Sequence, residues 1–461
     1  MKRAVIAALL SALCTAVPGF YELRKDANSV WWFVRPDGAL VQSYVANHVN
    51  DGGPDDGVGG REAAVCRAAT GSALCGDSLN FGGALGYAPY YNVTQDKYGG
   101  SARAWANASL DFLGSLGFGG ISGWSAEVAQ TAARERGLGY FRLLDIGTTW
   151  PHSGEGLDWD VWSANFSAQC EAIAAAEVAP RARDPALIAW QTDNENNWRA
   201  VGLARYLVAY AAGPGGAAAL GWLQARYASL AALNAAWGTA AASWAALGAA
   251  LPARNAAAFA ADDADFVALV AGRYMNITTA AIRRHDANHL ISGVRFNYVT
   301  PQIVRAVAPF VDLLDQHDYG DLPDVAWLAQ MSALAGGKPV VLGEMSFTAA
   351  DSNLPNTHGA RAGNPEVTQT RRATRYAAYM RALLPLPFVA GYGWWNFVDE
   401  PATGRWPDGE NSNYGLRTLA DDPYAILAET MAAVHAAAPQ WHATGKAPPP
   451  AGAAGAAAGE L

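Results

Sequence analysis

Ile188-Ala189-Trp190-Gln191-Thr192-Asp193-Asn194-Glu195-Asn196-Asn197-Trp198 is the stretch from which the rest of the chain is read. An apolar run beginning at Ala186 enters it as a buried strand would, then breaks into acid and amide side chains between two tryptophans. A carboxyl that can carry a proton, an amide that can hold a hydroxyl and an indole that can cover an apolar sugar face are the parts a sugar-cleaving site needs. Asn-Glu alone is a common surface pair. Its weight comes from the flanking sequence and from a second glutamate, Glu344, far down the chain.

Outward from this strand, apolar segments alternate with amphipathic ones. Strand patterns at 118–123 and 140–146 precede it, with helix patterns over 102–116, 127–136 and 159–177. After it come strands at 289–295, 311–317, 339–342 and 388–396, and helices at 301–307, 325–335, 368–384 and 423–438. Near the start, the runs 30–34 and 40–45 flank Arg35-Pro36-Asp37-Gly38, turn chemistry that predicts a hairpin leading to Asn47-His48. Eight strands, most followed by a helix, predict an α/β chain folded as a (β/α)8 TIM barrel. A long loop comes after strand one (49–100). The Ala-rich stretch from about 199 to 288, too long for one crossover, reads as a helical insertion after strand four.

Of the 461 residues 51% are apolar, enough for a large core, and net charge is −9 with no Lys- or Arg-rich tract. That balance argues against nucleic acid and anionic membrane surfaces as partners. Lys2 and Arg3, the apolar run 4–13 and Cys14-Thr15-Ala16 read as a secretory signal peptide over 1–16, predicting a secreted, extracellular protein. The catalytic domain is expected over 17–444 and a disordered Gly/Ala/Pro tail over 445–461. The run 4–13 is too short to span a membrane, and no later run is long enough. In an oxidising compartment Cys66 and Cys75 could staple one loop, leaving Cys170 as a buried thiol. Sequons at Asn92, Asn107, Asn165 and Asn276 are candidate glycosylation sites. No metal-ligand spacing is present, and neither metal nor cofactor is expected.

Barrel enzymes carry their reactive groups at the carboxyl ends of the strands. Here those ends offer Asn47 and His48, Trp124, Asp145, Asn194 and Glu195, Arg295 and Asn297, His317 and Tyr319, Glu344, and Trp394, Trp395 and Asn396. A single polar residue at a strand end is usually a cap. Carboxyl, amide, imidazole or indole at every end is a site. Glu344 directly succeeds a buried strand and Gly343, where a carboxylate needs partners or substrate.

The segments Trp190-Gln191-Thr192-Asp193-Asn194-Glu195 and Gly343-Glu344 resemble the acid/base and nucleophile segments of clan A glycoside hydrolases. More narrowly they resemble family 42 β-galactosidases and the related, family 50-like β-agarases. The likeness extends to 31–38, 116–125, 226–239, Asp399-Glu400-Pro401-Ala402-Thr403-Gly404-Arg405 and 409–416. It implies Glu195 as general acid and base, Glu344 as nucleophile and Asn194 on the 2-hydroxyl. Tyr319 would orient Glu344 and His317 line the same subsite. Trp394 or Trp395 would be the sugar platform. The strand-end reading adds His48, Trp124 and Arg295 to the substrate-binding set. The expected activity is retaining hydrolysis of β-galactosidic linkages in a polysaccharide or oligosaccharide. β-Mannan or β-glucan cleavage, or a non-catalytic carbohydrate-binding barrel, are the alternatives.

Overall fold

The computed structural model describes residues 19–51, 89–147, 160–254, 256–402, 404–405 and 409–449. It opens with a small antiparallel sheet of β1 (Glu22–Lys25), β2 (Trp31–Val34) and β3 (Leu40–Val41). The expected hairpin is there, but the run 40–45 serves two sheets. Leu40 and Val41 pair with Val34 and Phe33, and the chain then turns at Gln42, whose side-chain amide donates to the Leu384 and Val389 carbonyls at 3.2 and 3.1 Å.

From Ser43 onward the chain builds the barrel. β4 (Ser43–Ala46), β5 (Gly120–Ile121), β6 (Gly139–Leu143) and β7 (Leu187–Asn194) lie side by side in chain order. β8 (Leu290–Phe296), β9 (Leu314–His317), β10 (Val340–Met345) and β11 (Val389–Trp394) continue the order, and β11 pairs back onto β4. Neighbours are parallel throughout. Side chains alternate across each strand, so one set fills the barrel and the other meets the helices. The lower interior is apolar: Val45, Phe141, Ile188, Leu290, Leu313, Val341 and Ala390, closed from below by Phe33 of the hairpin, edge-on to Phe141 at 6.3 Å.

Side-chain caps at Ser101, Thr300, Asp324 and Thr368 begin helices Ala102–Ser115, Pro301–Val307, Val325–Leu334 and Gln369–Leu383 close to where the sequence places them. The stretch 199–288 divides in two. Helices Leu203–Val208, Pro214–Arg226 and Leu230–Trp237 form the insertion. The long helix Ala257–His285 is the barrel's own crossover, packed against helices Ala164–Ile173 and Pro301–Val307. Both parts are Ala-rich and share one periodicity, which hides the border in sequence.

Two further elements depart from expectation. Within the long loop, Pro89–Lys97 is helical despite a polar composition, because Tyr90 and Tyr98 both donate to the Asp421 carboxylate, at 2.9 and 2.7 Å. The last helix runs Ala425–Thr444, through Pro439, and ends at a left-handed Gly445. Buried His442 holds the extra turn, bonded to the Leu384 and Trp31 carbonyls. Among the described residues no helix is long and apolar enough to cross a membrane. The signal region, Cys66, Cys75 and residues from 450 onward lie outside the described residues, as does the Asn92 side chain. Asn165 and Asn276 are exposed, whereas Asn107 is half-buried and accepts from Arg136. Cys170 is a buried free thiol whose pKa burial pushes up to about 12.

Candidate active site

The carboxyl ends of the strands meet at one rim. There His48, Trp124, Asp145 and Glu195, the residues that leave β4 to β7, all take left-handed backbone, with φ of 56, 57, 47 and 48°. Such conformations cost about 1–3 kcal/mol each outside glycine and gather where side chains must be aimed.

The two glutamates face one another across this rim. One carboxylate oxygen of each, together with a ring nitrogen of His317, lie within 4.8 Å of one another. Glu344 is deeply set, its side chain 5% exposed. Its Oε1 is 2.7 Å from Arg295 Nη2 and its Oε2 accepts from the Tyr319 hydroxyl at 2.8 Å. Glu195 is more open, at 27%, with Oε1 at 2.6 Å from His317 Nδ1, which also lies 3.4 Å from Glu344 Oε2.

Beneath them a polar layer rests on the apolar floor. Fully buried Arg295 donates to Asn194 Oδ1 (3.0 Å), Asn47 Oδ1 (2.8 Å) and the Gly343 carbonyl (3.2 Å). Its guanidinium also lies 4.9 Å from the Trp124 ring centre. Asp315 sits below, accepting from Gln191 Nε2 at 3.0 Å and 3.9 Å from Arg295 Nε. Gly343 is demanded here: a Cβ would collide with the Asp315 carboxylate. Burial, reinforced by the Glu344 charge, raises the Asp315 carboxyl to about 7 against the opposing pull of Arg295. Burial also lowers His317 to about 3, so its ring is neutral around pH 7. A neutral imidazole nitrogen can donate to an ionised Glu195 or accept from a protonated one. Burial, with the charges of Glu344 and Glu195, holds the Tyr319 phenol far above its ordinary range, which keeps it a donor.

An aromatic wall stands opposite. Trp395 meets Trp124 edge-on at 5.4 Å and stacks on the His48 ring at 5.7 Å. The segment after β11 braces it. Asn396 links His48 Nδ1 (3.1 Å) to Glu400 (2.7 Å), and Arg405, paired with Glu400 and Glu410, lies 5.0 Å over the Trp395 ring. Trp394 is elsewhere: fully buried, it faces the helix layer, its indole N–H bonded to the Tyr414 carbonyl and its ring edge-on to Tyr376. Adjacent residues of a strand point to opposite faces, so only Trp395 of the pair can reach the rim.

Sequence reasoning gave no role to Asp193 and Asp315. Asp193 accepts from the Tyr274 hydroxyl and from Gly147 N–H at 3.0 Å, tying the strand before Glu195 to the long helix and to the loop after β6. The run of four polar residues ending β7, all buried, was the available signal. By spacing alone Glu195, His317 and Glu344 could also hold a divalent ion, but Arg295 already places a positive charge against Glu344.

A closed parallel barrel with paired glutamates at the ends of its fourth and seventh strands resembles the arrangement of clan A glycoside hydrolases, family 42 and the family 50-like agarases among them. Residues 149–248 match the family 42 β-galactosidase model. β-Agarase B of Vibrio sp. (strain JT0107) is 27% identical over 361 residues, covering 73% of this chain and 37% of that protein. β-Agarase A of the same strain is 29% identical over 335 residues, covering 67% and 31%. The chain thus spans about a third of the length of the curated relatives it matches. In fold it is similar to the crystal structure of an agarase, AgWH50C, with TM-score 0.75, 21% identity, and 92% of this chain and 65% of that one covered. A solved exo-β-agarase gives TM-score 0.75 at 19% identity, with the same coverage.

Proposed function

We propose that the protein is a secreted retaining glycosidase that cleaves β-galactosidic linkages in a polysaccharide or oligosaccharide. The observation that carries this reading is the approach of Glu195 and Glu344 to within 4.8 Å at their nearest oxygens. Retaining glycosidases hold their carboxyl groups about 5–5.5 Å apart, whereas inverting ones leave a wider gap for water. Glu344, paired with Arg295, attacks the anomeric carbon while the bond to the leaving oxygen breaks and Glu195 supplies that oxygen's proton. Glu195, now a base, takes a proton from water. The water oxygen bonds the anomeric carbon and Glu344 departs. Asn194, fixed by Arg295, takes the 2-hydroxyl, His317 holds the Glu195 carboxyl in place, and Trp395 with Trp124 receives the apolar sugar face. The choice of a β-galactoside rests on the names of the relatives.

Hydrolysis of agarose, galactan, mannan and glucan, with NMR of the first-formed anomer, tests the proposal. β-Product from a galactose-containing polymer is expected. α-Product refutes retention, and activity confined to mannan or glucan refutes the sugar. Export rests on residues 1–16 and is checked by the mass of the N-terminus recovered from medium.

A further inference from the structure

A cleft of about 370 Å³ opens beside the reacting pair, between the ends of β8 and β9. It is lined by Asn297, Tyr298, Gln316, His317, Asp318 and Trp327, among others. His317 lines the cleft and also meets Glu195, so the cleft borders the site at this residue. Tyr298 is half exposed, although the Arg199 guanidinium covers it at 3.9 Å from the ring centre. Arg199 lies one short turn beyond Glu195, so the ring is tied to the loop that carries the acid. The other wall is built rigidly. Asp318 accepts from the Gly320 and Asp324 backbones at 2.8 and 2.9 Å, and Trp327 donates its indole N–H to Gln316 at 3.2 Å. Leu322 and Val325, both exposed, flank the same loop, so apolar surface gathers at this end of the rim.

We infer that this cleft is a leaving-group subsite that stacks a sugar of the substrate chain on Tyr298, beyond the bond that is cut. The inference rests on the glycosidase reading. An aromatic face set among amides and carboxylates matches a sugar ring, which presents C–H groups on its face and hydroxyls at its edge. Arg199 sets the side: it joins Tyr298 to the loop that follows Glu195, the residue that protonates the departing oxygen in the proposed mechanism. A chain extended in that direction passes over Tyr298, and a small aryl glycoside does not reach it.

The test is kcat/KM of the parent, Tyr298→Ala and Tyr298→Phe on an aryl β-galactoside and on galacto-oligosaccharides of rising length. Tyr298→Ala should lose about three- to tenfold more on the longest chains than on the aryl glycoside, and Tyr298→Phe, which keeps the ring, should show no such length-dependent loss. Losses independent of length, or no loss, overturn the subsite. If the parent cleaves only gluco- or manno-oligosaccharides, the sugar assignment fails, and the same ladder in that series still reads the subsite. If the parent cleaves nothing, calorimetric titration of the ladder into parent and Tyr298→Ala decides it. Affinity that rises with length in the parent and not in the variant supports the subsite, and equal affinities refute it.

Discussion

Glu195 and Glu344 are the same side chain in two environments. Glu344 sits deep, ion-paired with an arginine and accepting from a phenol; Glu195 sits higher, on a left-handed turn, with a neutral imidazole as its close neighbour. Fixed partners hold a carboxyl group in one pose against the sugar, whereas a more open one can reach both a leaving oxygen and a water. In the proposed mechanism, position in the barrel, not residue type, separates nucleophile from acid.

The contrast is broken most severely at its deep end. Glu344→Ala should lower kcat by at least about 10⁴-fold, and added azide should restore turnover with formation of an α-glycosyl azide. Glu195→Ala should cost about 10²–10⁴-fold on polysaccharide and far less on an aryl glycoside whose leaving group needs no proton. Parallel kinetics on both substrates checks this, and equal losses on the two would reverse the assignment. Arg295→Met strips Glu344 of its buried counter-charge. It should destabilise the fold by about 3–5 kcal/mol, read from urea unfolding, and lower kcat in the protein that folds. Tyr319→Phe removes one hydrogen bond and should reduce kcat about tenfold with little change in stability.

The smallest effect is on pH dependence. Asp315, raised to about 7 in the fold against about 3.9 unfolded, binds its proton more tightly when native. Its contribution is therefore lost as pH climbs from about 4 to 7. Asp315→Asn should gain stability relative to the parent across that window, seen in unfolding midpoints at its two ends. His317 acts oppositely. Held neutral down to about 3, it takes up its proton later than in the unfolded chain, so stability falls as pH drops below about 6.5.

The barrel was readable because its strands are continuous apolar runs with polar ends, and the ends named the site. Glu195, Glu344, His317, Tyr319, Arg295 and Asn194 do meet at one rim. What escaped was set by contacts distant in sequence. The Leu314–His317 strand reads Leu-Asp-Gln-His, and nothing local says that its aspartate lies under an arginine contributed by the preceding strand. Trp394 and Trp395 are indistinguishable in sequence because strand parity is fixed only once the barrel closes. The helix Pro89–Lys97 is held by Asp421, more than 300 positions away, which accepts from Tyr90 within it and from Tyr98 just after it.

Phe33, wedged under the barrel, gives the molecule a sealed base. A polymer cannot be threaded down the axis of such a cup. On the proposed reading a polysaccharide has to lie crosswise over the lip, so the furrows cut between the upper loops set how many of its sugars are gripped.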